Sequence, residues 1–380
     1  MADLHNLKHN VKKILLVKHR NIGDVLLTVP TIRVLRDNFP DAYIAMLVNS
    51  GTEDVIIGNP LLDEVMVFDQ KWKELSFFIK AYTQMAFVME IRKKGFDLVI
   101  NMTEGDRGAL TALVSGAKYR VGYDPGRRGL LGKKYIFTHL ISDTNQRAHI
   151  VEQNLDTVRA LGITPADEDK SVDIYYSDED KEHIEEILAE SGIEGEDVLI
   201  HIHPTSRWLF KCWRDEAVAE IIDYLQLQKG FRVVLTSGPD ERELKKVEDI
   251  LSFVKSYPLN LAGKTTIKQL AALTAGSNLF FGVDTAPMHI AAAVGTPVVA
   301  LFGPSGEFNW GPWGKGHVVI KKDMECRPCG RDGCNGSKKS KCLEIIETAE
   351  VKKVIDEQLR LICGRAQTRK RLGNQPEING

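Results

Sequence analysis

The stretch NLFFGVDTAPMHIAAAVGTPVVALFGPS, residues 278–305, bears most directly on the fold. An apolar run typical of a buried strand ends at Asp284, and a proline follows three residues later, where the first turn of a helix would lie. His289 and small apolar residues come next, then Gly295 and a second apolar run. The pattern predicts a strand–helix–strand unit with a carboxylate and an imidazole where its first strand ends.

The same alternation of strand and helix patterns recurs on both sides of an acidic, poorly periodic segment at residues 164–180. Such alternation predicts an α/β protein whose parallel sheets carry helices on both faces. We expect two Rossmann-like, doubly wound domains that face each other across a cleft. The strand patterns occupy residues 11–17, 42–48, 64–68, 96–102, 197–203 and 231–238.

The domain limits follow from these patterns. Residues 25–40 are interpreted as one helix kinked at Pro30, and residues 116–141, rich in glycine and basic residues, as an irregular loop. The expected divisions are an N-terminal domain over residues 1–170, a C-terminal domain over 171–350, a helix at 351–365 that packs back on the first domain, and a mobile tail at 366–380.

Composition narrows the function classes. A chain of 380 residues with a net charge of -2 has no bulk attraction to nucleic acid or to an anionic membrane. No run approaches the ~18 apolar residues of a membrane span. The first residues lack a signal-peptide pattern, so we expect a cytoplasmic protein whose cysteines are thiols or metal ligands.

Ligands of doubly wound sheets bind beyond the carboxyl ends of the strands. That rule selects four stretches: HRNIGD at 19–24, HPTSRWLFKCW at 203–213, SGPDERE at 237–243 and DTAPMH at 284–289. In DTAPMH, the N–H groups and dipole of a helix start would favour a phosphate, to which His289 could also donate. The alternative is a capped helix with a satisfied core histidine.

HPTSRWLFKCW concentrates polar groups at the end of an apolar strand. The hydroxyls of Thr205 and Ser206 and the ammonium of Lys211 are groups that bind a diphosphate. The alternative is a capped loop in which Trp208 and Trp213 serve as core anchors. We favour the binding role because so many polar groups lie together.

HRNIGD places Asp24 at the mouth of the first domain, where a carboxylate could act as a general base. Its alternative role is to cap the following helix, and the two roles are compatible.

SGPDERE offers Gly238 for a tight turn and three acids for ribose hydroxyls, namely Asp240, Glu241 and Glu243. The alternative is that acids in a first turn complement the helix dipole, which is sufficient for at least two of them.

A cysteine cluster has the spacing C-x2-C-x4-C-x7-C, formed by Cys326, Cys329, Cys334 and Cys342. It is compact enough for tetrahedral zinc, but it lacks the second C-x2-C of a zinc ribbon. The four residues are therefore a weak zinc candidate, with a cysteine-rich surface loop as the alternative.

In their order and positions, KHRNIGDVLLTVPTIRVLRDNFP, HPTSRWLFKCW, SGPDERE and GVDTAPMHIAAAVGTPVVALFGPS resemble the ADP-heptose:lipopolysaccharide heptosyltransferases, glycosyltransferase family 9, which have the GT-B fold. The resemblance covers roughly residues 12–360 and is specific to the family as a set of motifs. The second motif looks most like the heptosyltransferase III branch.

The resemblance implies residue roles. Asp24 matches the catalytic aspartate and Lys211 the phosphate-binding lysine, and Glu241 is our choice for the ribose contact. Ala286 stands where family members often have glycine. The diphosphate motif of the family matches Asp284, Thr285, Ala286, Met288 and His289.

The resemblance also implies the reaction: transfer of heptose from ADP-heptose to the inner core of lipopolysaccharide, with inversion and without a metal ion or cofactor. Peripheral contact with the inner membrane follows from this substrate alone, since neither domain has a clear membrane-binding helix. Basic residues of the first domain are candidates to hold the acidic acceptor: Arg20, Arg120, Arg127, Arg128 and Arg147.

Three rival functions remain open at the level of sequence. One is another GT-B enzyme, such as a nucleotide-sugar epimerase or a transferase with a different donor. Another is a two-lobed binding protein, although binding alone gives no reason for Asp24 at the cleft. The third is a redox or zinc module centred on the cysteines.

Overall fold

The computed structural model describes residues 4–124, 126, 132–141 and 147–373, and their side chains except at residues 4–6, 73 and 363–373. The chain forms two compact units, Met1–Tyr175 and Tyr176–Gly380. The division falls a few residues beyond the boundary that we expected at 170–171.

The first unit is built on a parallel sheet with the strand order β3-β2-β1-β4-β5-β6 among the described residues. Strand β1 lies between β2 and β4 and is buried over Ile14–Lys18, which is why it is an unbroken apolar run up to its last residue. The strands are β1 (Lys13–Lys18), β2 (Tyr43–Asn49), β3 (Glu64–Phe68), β4 (Leu98–Asn101), β5 (Tyr119–Tyr123) and β6 (His139–Ile141).

The helices of this unit are α1 (Leu4–Asn10), α2 (Ile22–Leu26), α3 (Val29–Asn38), α4 (Phe77–Lys94), α5 (Asp106–Val114) and α6 (Ile150–Arg159). The single kinked helix expected at 25–40 is wrong. Two helices meet at Leu27 and Thr28, and Pro30 lies in the first turn of α3, where its missing N–H costs little.

The prediction of an irregular loop at residues 116–141 is also wrong. Its described part contains strands β5 and β6, which extend the sheet beyond β4. One of the glycines that made the segment look irregular has a packing role, because a Cβ on Gly122 would lie 2.5 Å from the ring of Phe137. Short strands with half-buried edges leave little periodicity to detect.

The second unit repeats the architecture with the strand order β12-β11-β10-β7-β8-β9 in its described part, and its strand pairs are parallel. Its strands are β7 (Leu199–His203), β8 (Arg232–Leu235), β9 (Leu259–Asn260), β10 (Leu279–Val283), β11 (Val298–Phe302) and β12 (Val318–Lys321). Its helices are α7 (Asp178–Glu190), α8 (Asp215–Asp223), α9 (Glu241–Leu251), α10 (Ile267–Ala275), α11 (Ala286–Ala293), α12 (Glu307–Trp310), α13 (Lys341–Glu344) and α14 (Thr348–Gly373).

Helix α14 packs differently from our expectation. Val351, Ile355 and Leu359 recur every four residues, are buried, and join the core of the second unit, where α14 contacts α8. We had expected this helix to return to the first domain. It also continues to Gly373, into the segment expected to be a tail, which is rich in residues with high helix propensity. In the described residues, no helix has the length and apolar character needed to cross a membrane.

Candidate active site

An ion pair links the ends of two neighbouring strands in the second unit. Strand β7 pairs with β10, and the loop after β7 places Lys211 Nζ 2.6 Å from Oδ2 of Asp284, the residue that follows β10. Both side chains are largely shielded from solvent, at 18% and 7% exposed. The structure thus brings together two residues that the sequence predicted at separate strand ends.

Trp208 lies beside this pair. Its indole ring is 41% exposed, Lys211 Nζ lies 5.3 Å from the ring centre, and the guanidinium carbon of Arg207 lies 4.8 Å from it. Two cations at these distances make favourable cation–π contacts. The backbone N–H of Trp208 donates to Ser206 Oγ at 3.3 Å, which helps to shape the loop. Trp208 is therefore a surface aromatic with two cations close to its ring, while Trp213 is the core anchor of the alternative interpretation, at 2% exposure.

Helix α11 begins immediately after Asp284. Thr285 is its N-cap residue and is half-buried, as is Ala286, whereas Pro287 lies in the first turn. His289 is buried. The side chain of Met288 is fully buried in the core with Phe280 and Phe302, so a ligand could meet this residue only through its backbone.

The loop after β8 leads into α9, whose first turn carries the acid Glu243. Its side chain is buried, and Oε2 accepts a hydrogen bond from Thr205 Oγ1 at 2.8 Å. A Cβ on Gly238 would lie 2.7 Å from Glu243 Oε1, so glycine makes room for this carboxylate. Asp240 caps α9 by accepting from the N–H of Arg242. Of the three acids in this stretch, Glu243 is the buried one, whereas Glu241, our choice from the sequence, is exposed.

The two histidines of β7 belong to the core. His201 is hydrogen bonded to Thr274 and Thr236, and His203 to Thr236. Burial lowers the pKa of His203 to about 3, and it holds the pKa of His201 well below its usual value. Both rings are neutral at physiological pH and serve as buried hydrogen-bonding groups.

In the first unit, Asp24 lies in the first turn of α2 and is half-buried. Asn21, and not Asp24, stands at the N-cap position, and its amide lies 3.5 Å from Asp24 Oδ2. The capping role that was the alternative for Asp24 is therefore wrong. The carboxylate still benefits from the helix dipole, which favours negative charge in the first turn.

Two basic residues to which the sequence analysis gave no role lie where this loop begins. Lys18 ends β1 and is buried, and its Nζ donates to Met102 O and Asn154 Oδ1, both at 3.0 Å. Burial lowers the pKa of Lys18 to about 8, and the charge of Asp24 acts in the opposite direction. Burial also lowers the pKa of His19 to about 4. The sequence contained a signal for Lys18 and His19, because two basic residues follow directly after an apolar strand pattern.

The arginines proposed for the acceptor fall into three groups. Arg20 and Arg147 are exposed. The guanidinium of Arg120 donates to the backbone carbonyls of Ala117 and Ile136, which favours a structural role for this residue. Arg127 and Arg128 lie outside the described residues.

The four clustered cysteines are free thiols. Cys326 and Cys334 are exposed, Cys329 is half-buried, and Cys342 is buried, which raises its pKa. Within residues 4–124, 126, 132–141 and 147–373, no group of three or more His, Cys, Asp or Glu side chains is arranged to hold a metal ion. The weak zinc candidate is thus not assembled in this structure.

Two α/β units on six-stranded parallel sheets, with polar side chains at the ends of their strands, place the protein among the GT-B glycosyltransferases, and solved heptosyltransferases share this architecture. The model of glycosyltransferase family 9 (heptosyltransferase) matches residues 84–340. The chain belongs to glycosyltransferase family 9 and is a glycosyltransferase. The family and the α/β fold class predicted from the sequence motifs are confirmed.

Individual relatives agree with this assignment. The chain is 37% identical over 292 residues to lipopolysaccharide heptosyltransferase 3 of Escherichia coli K12, which covers 77% of this chain and 82% of that protein. A family 9 glycosyltransferase structure from Veillonella parvula superposes with a TM-score of 0.77 at 25% identity, covering 92% of this chain and 97% of the other. E. coli ADP-heptose lipopolysaccharide heptosyltransferase II superposes with a TM-score of 0.73 at 20% identity, covering 92% and 99%.

Proposed function

We propose that this protein transfers heptose from ADP-heptose to the inner core of lipopolysaccharide, as a member of the heptosyltransferase 3 branch. The 37% identity to E. coli lipopolysaccharide heptosyltransferase 3 supports the acceptor class. The observation that carries the proposal is the Lys211–Asp284 pair at the ends of adjacent strands. It holds a cation in place at the edge of a parallel sheet where nucleotides bind.

The donor diphosphate is assigned to Lys211 and to the start of α11. Pro287 has no N–H, and the N–H of Met288 donates to the carbonyl of Thr285 at 3.1 Å. The backbone contact with the diphosphate therefore falls to the N–H groups of Thr285 and Ala286, where the helix dipole favours negative charge. Asp284 is assigned the role of positioning Lys211, and His289 that of an additional donor.

The nucleoside is assigned to the neighbouring strand end. Glu243 replaces Glu241 as the acid for the ribose hydroxyls, because it lies beside Gly238 and is held by Thr205. Ser206 completes the loop that contacts the diphosphate. A buried carboxylate fixed by a hydroxyl is a better-positioned acceptor of hydrogen bonds than an exposed one.

Asp24 is the proposed general base. Its carboxylate takes the proton of an acceptor hydroxyl as the hydroxyl oxygen attacks the anomeric carbon of heptose. The bond from that carbon to the diphosphate oxygen breaks, ADP departs, and the anomeric configuration inverts. Arg20, exposed on the same loop, is a candidate contact for the acidic acceptor.

No metal ion is needed in this proposal, because Lys211 and the helix start stabilise the negative charge of the departing ADP. Turnover in excess EDTA should equal turnover in its absence. A loss of activity in EDTA that Mg²⁺ restores would contradict this part of the mechanism.

The test of the function is transfer from ADP-heptose to core acceptors that lack the branching heptose. Asp24→Asn should lower kcat by about 10²–10⁴-fold and leave the affinity for ADP unchanged. Asp37→Asn, at an exposed acid of α3, is the matched control and should keep wild-type turnover. Wild-type kcat in Asp24→Asn would remove Asp24 as the base. Absence of any transfer by the wild-type protein would overturn the proposed reaction.

A further inference from the structure

Helix α4 of the first unit exposes an apolar surface that the function described so far does not use. The helix packs on the core through Ile91, which is buried, and Phe87, which is half-buried. Its other apolar side chains lie mostly in solvent. The exposed fractions are 83% for Phe78, 77% for Tyr82, 61% for Met85 and 51% for Met89.

These four residues form one continuous stripe, which we call the α4 stripe. Their spacing of four, three and four residues keeps them on one face of a helix that turns about 100° per residue. The same geometry places Ile91 and Phe87 on the opposite face. The stripe is therefore not a result of loose packing, because the helix has a core-facing side and a second apolar side directed outward.

Neighbouring apolar residues widen the surface. At the start of α4, Phe77 and Ile79 are 78% and 55% exposed. Helix α5 contacts α4 and exposes Leu110 and Leu113, at 43% and 50%. Single exposed apolar residues are ordinary, but a contiguous set of large ones marks an interaction surface.

The charges around the stripe identify its partner. Residues 71–93 contain the basic residues Lys71, Lys73, Lys80, Arg92 and Lys93 and the acids Glu74 and Glu90, so five basic residues against two acids leave a formal excess of three positive charges around the stripe. An apolar stripe with aromatic residues and basic flanks is typical of a helix that lies in the interface of a bilayer with anionic lipids. A surface that pairs two copies of one chain gains nothing from this net positive charge, because the two like-charged surfaces would repel each other.

The stripe also starts at the edge of the sheet that carries the loop of Asp24. Strand β3 ends at Phe68, and α4 returns from that end, which is the edge that carries the loop of Asp24. Aromatic contacts connect the two regions: ring centres are 5.5 Å apart for His19 and Phe68, and 4.9 Å apart for Phe68 and Trp72. Trp72 in turn contacts Phe87 of α4.

We propose that the α4 stripe is a membrane-binding surface, which inserts its apolar side chains among the acyl chains of an anionic bilayer. Docking in this way presents the edge that carries Asp24 to an acceptor anchored in the same bilayer. The reason for docking rests on the proposed function, whereas the binding itself does not require it.

The test is co-sedimentation of the full chain with vesicles of phosphatidylcholine containing phosphatidylglycerol, without donor or acceptor. The double variant Phe78→Glu/Met85→Glu changes only exposed side chains and should lower the partition coefficient at least tenfold. Leu227→Glu/Tyr257→Glu is the matched control, since both residues are exposed apolar side chains of the second unit, at 63% and 94%. It should bind vesicles like the wild type.

Activity separates docking from catalysis. The α4 variant should keep wild-type kcat/KM on an acceptor oligosaccharide without acyl chains and lose at least tenfold on an acceptor embedded in vesicles. Equal vesicle binding by the α4 variant and the wild type overturns the proposal. A wild-type protein that is a dimer and an α4 variant that is a monomer also overturn it, because the stripe then binds a second copy of the chain. If the wild-type protein binds vesicles through α4 but transfers no heptose, the membrane-binding surface is supported and the proposed reaction is refuted.

Discussion

Lys211 and Asp284 lie 73 residues apart in the chain, and their side chains form an ion pair of 2.6 Å at the ends of two paired strands. The carboxylate is the more deeply buried partner. Removing the cation would leave a buried charge without compensation, which costs more than the pair itself contributes. The pair therefore has a structural and a proposed ligand-binding role, and these two roles can be measured separately.

Lys211→Met should lower the free energy of unfolding by about 2–4 kcal/mol and weaken ADP binding at least tenfold. Lys211→Met/Asp284→Asn should recover much of the stability, because no charge remains buried, but should not recover ADP affinity. Chemical denaturation and calorimetric titration with ADP measure the two effects.

The matched control for this pair is Lys229→Met, which breaks the 2.9 Å pair with Asp356 away from the strand ends. It should reduce stability and leave ADP affinity intact. Unchanged ADP affinity in Lys211→Met would refute the phosphate role. If the double variant recovers ADP affinity, the loss of affinity in Lys211→Met is caused by the uncompensated charge of Asp284 and not by a missing contact with the phosphate.

Glu243 and Glu241 provide a paired test of the nucleoside site, since they lie two residues apart on α9 and differ in burial. Glu243→Gln should weaken ADP binding about tenfold, because an amide keeps the shape but loses the charge that strengthens a hydrogen bond from ribose. Glu241→Gln should change affinity less than twofold. Titration calorimetry with ADP decides between them, and the reverse order of effects would restore Glu241 as the ribose contact.

The strand ends that carry the candidate residues could be predicted in each unit, because a parallel sheet directs the carboxyl ends of its strands to one side. Asp24, Lys211 and Asp284 were each identified by a polar group that interrupts an apolar run. Sequence could not choose between Glu241 and Glu243, because both fall in the first turn of α9. Their burial depends on the orientation of that helix against the sheet, which no local pattern specifies.

The α4 stripe escaped prediction for a related reason. A helix is usually recognised by one apolar face opposite a polar one, whereas α4 has apolar residues on both its buried and its exposed sides. Strands β5 and β6 were missed because the glycines and basic residues of their segment resemble a loop. In both cases the tertiary contacts, and not local propensity, determine the structure.

His201 and His203 make the second unit sensitive to acid. Burial depresses the pKa of both rings, that of His203 to about 3, so below pH 6.5 the unfolded chain binds protons that the folded chain does not. As the pH is lowered, the free energy of unfolding should decrease by up to about 1.4 kcal/mol per pH unit for each ring. His203→Asn should remove one such contribution between pH 6 and 5.

Urea unfolding followed by tryptophan fluorescence measures this slope, because Trp208, Trp213, Trp310 and Trp313 lie in the second unit. His183→Asn, at an exposed histidine of α7, is the matched control and should keep the wild-type slope. An unchanged slope in His203→Asn would mean that other groups cause the acid sensitivity.

Lys18 should make the first unit more stable in mild alkali. Burial lowers its pKa to about 8, against about 10.5 in an unfolded chain, so the cost of holding the charged ammonium inside is constant below pH 8. Above pH 8 the folded state releases the proton first, and the free energy of unfolding should rise by up to about 1.4 kcal/mol per pH unit until pH 10.5.

Lys18→Met should abolish that rise between pH 8 and 9.5, measured by thermal unfolding with circular dichroism. Lys13→Met, at the exposed start of the same strand, should retain it. If the rise persists in Lys18→Met, the buried ammonium is not its source.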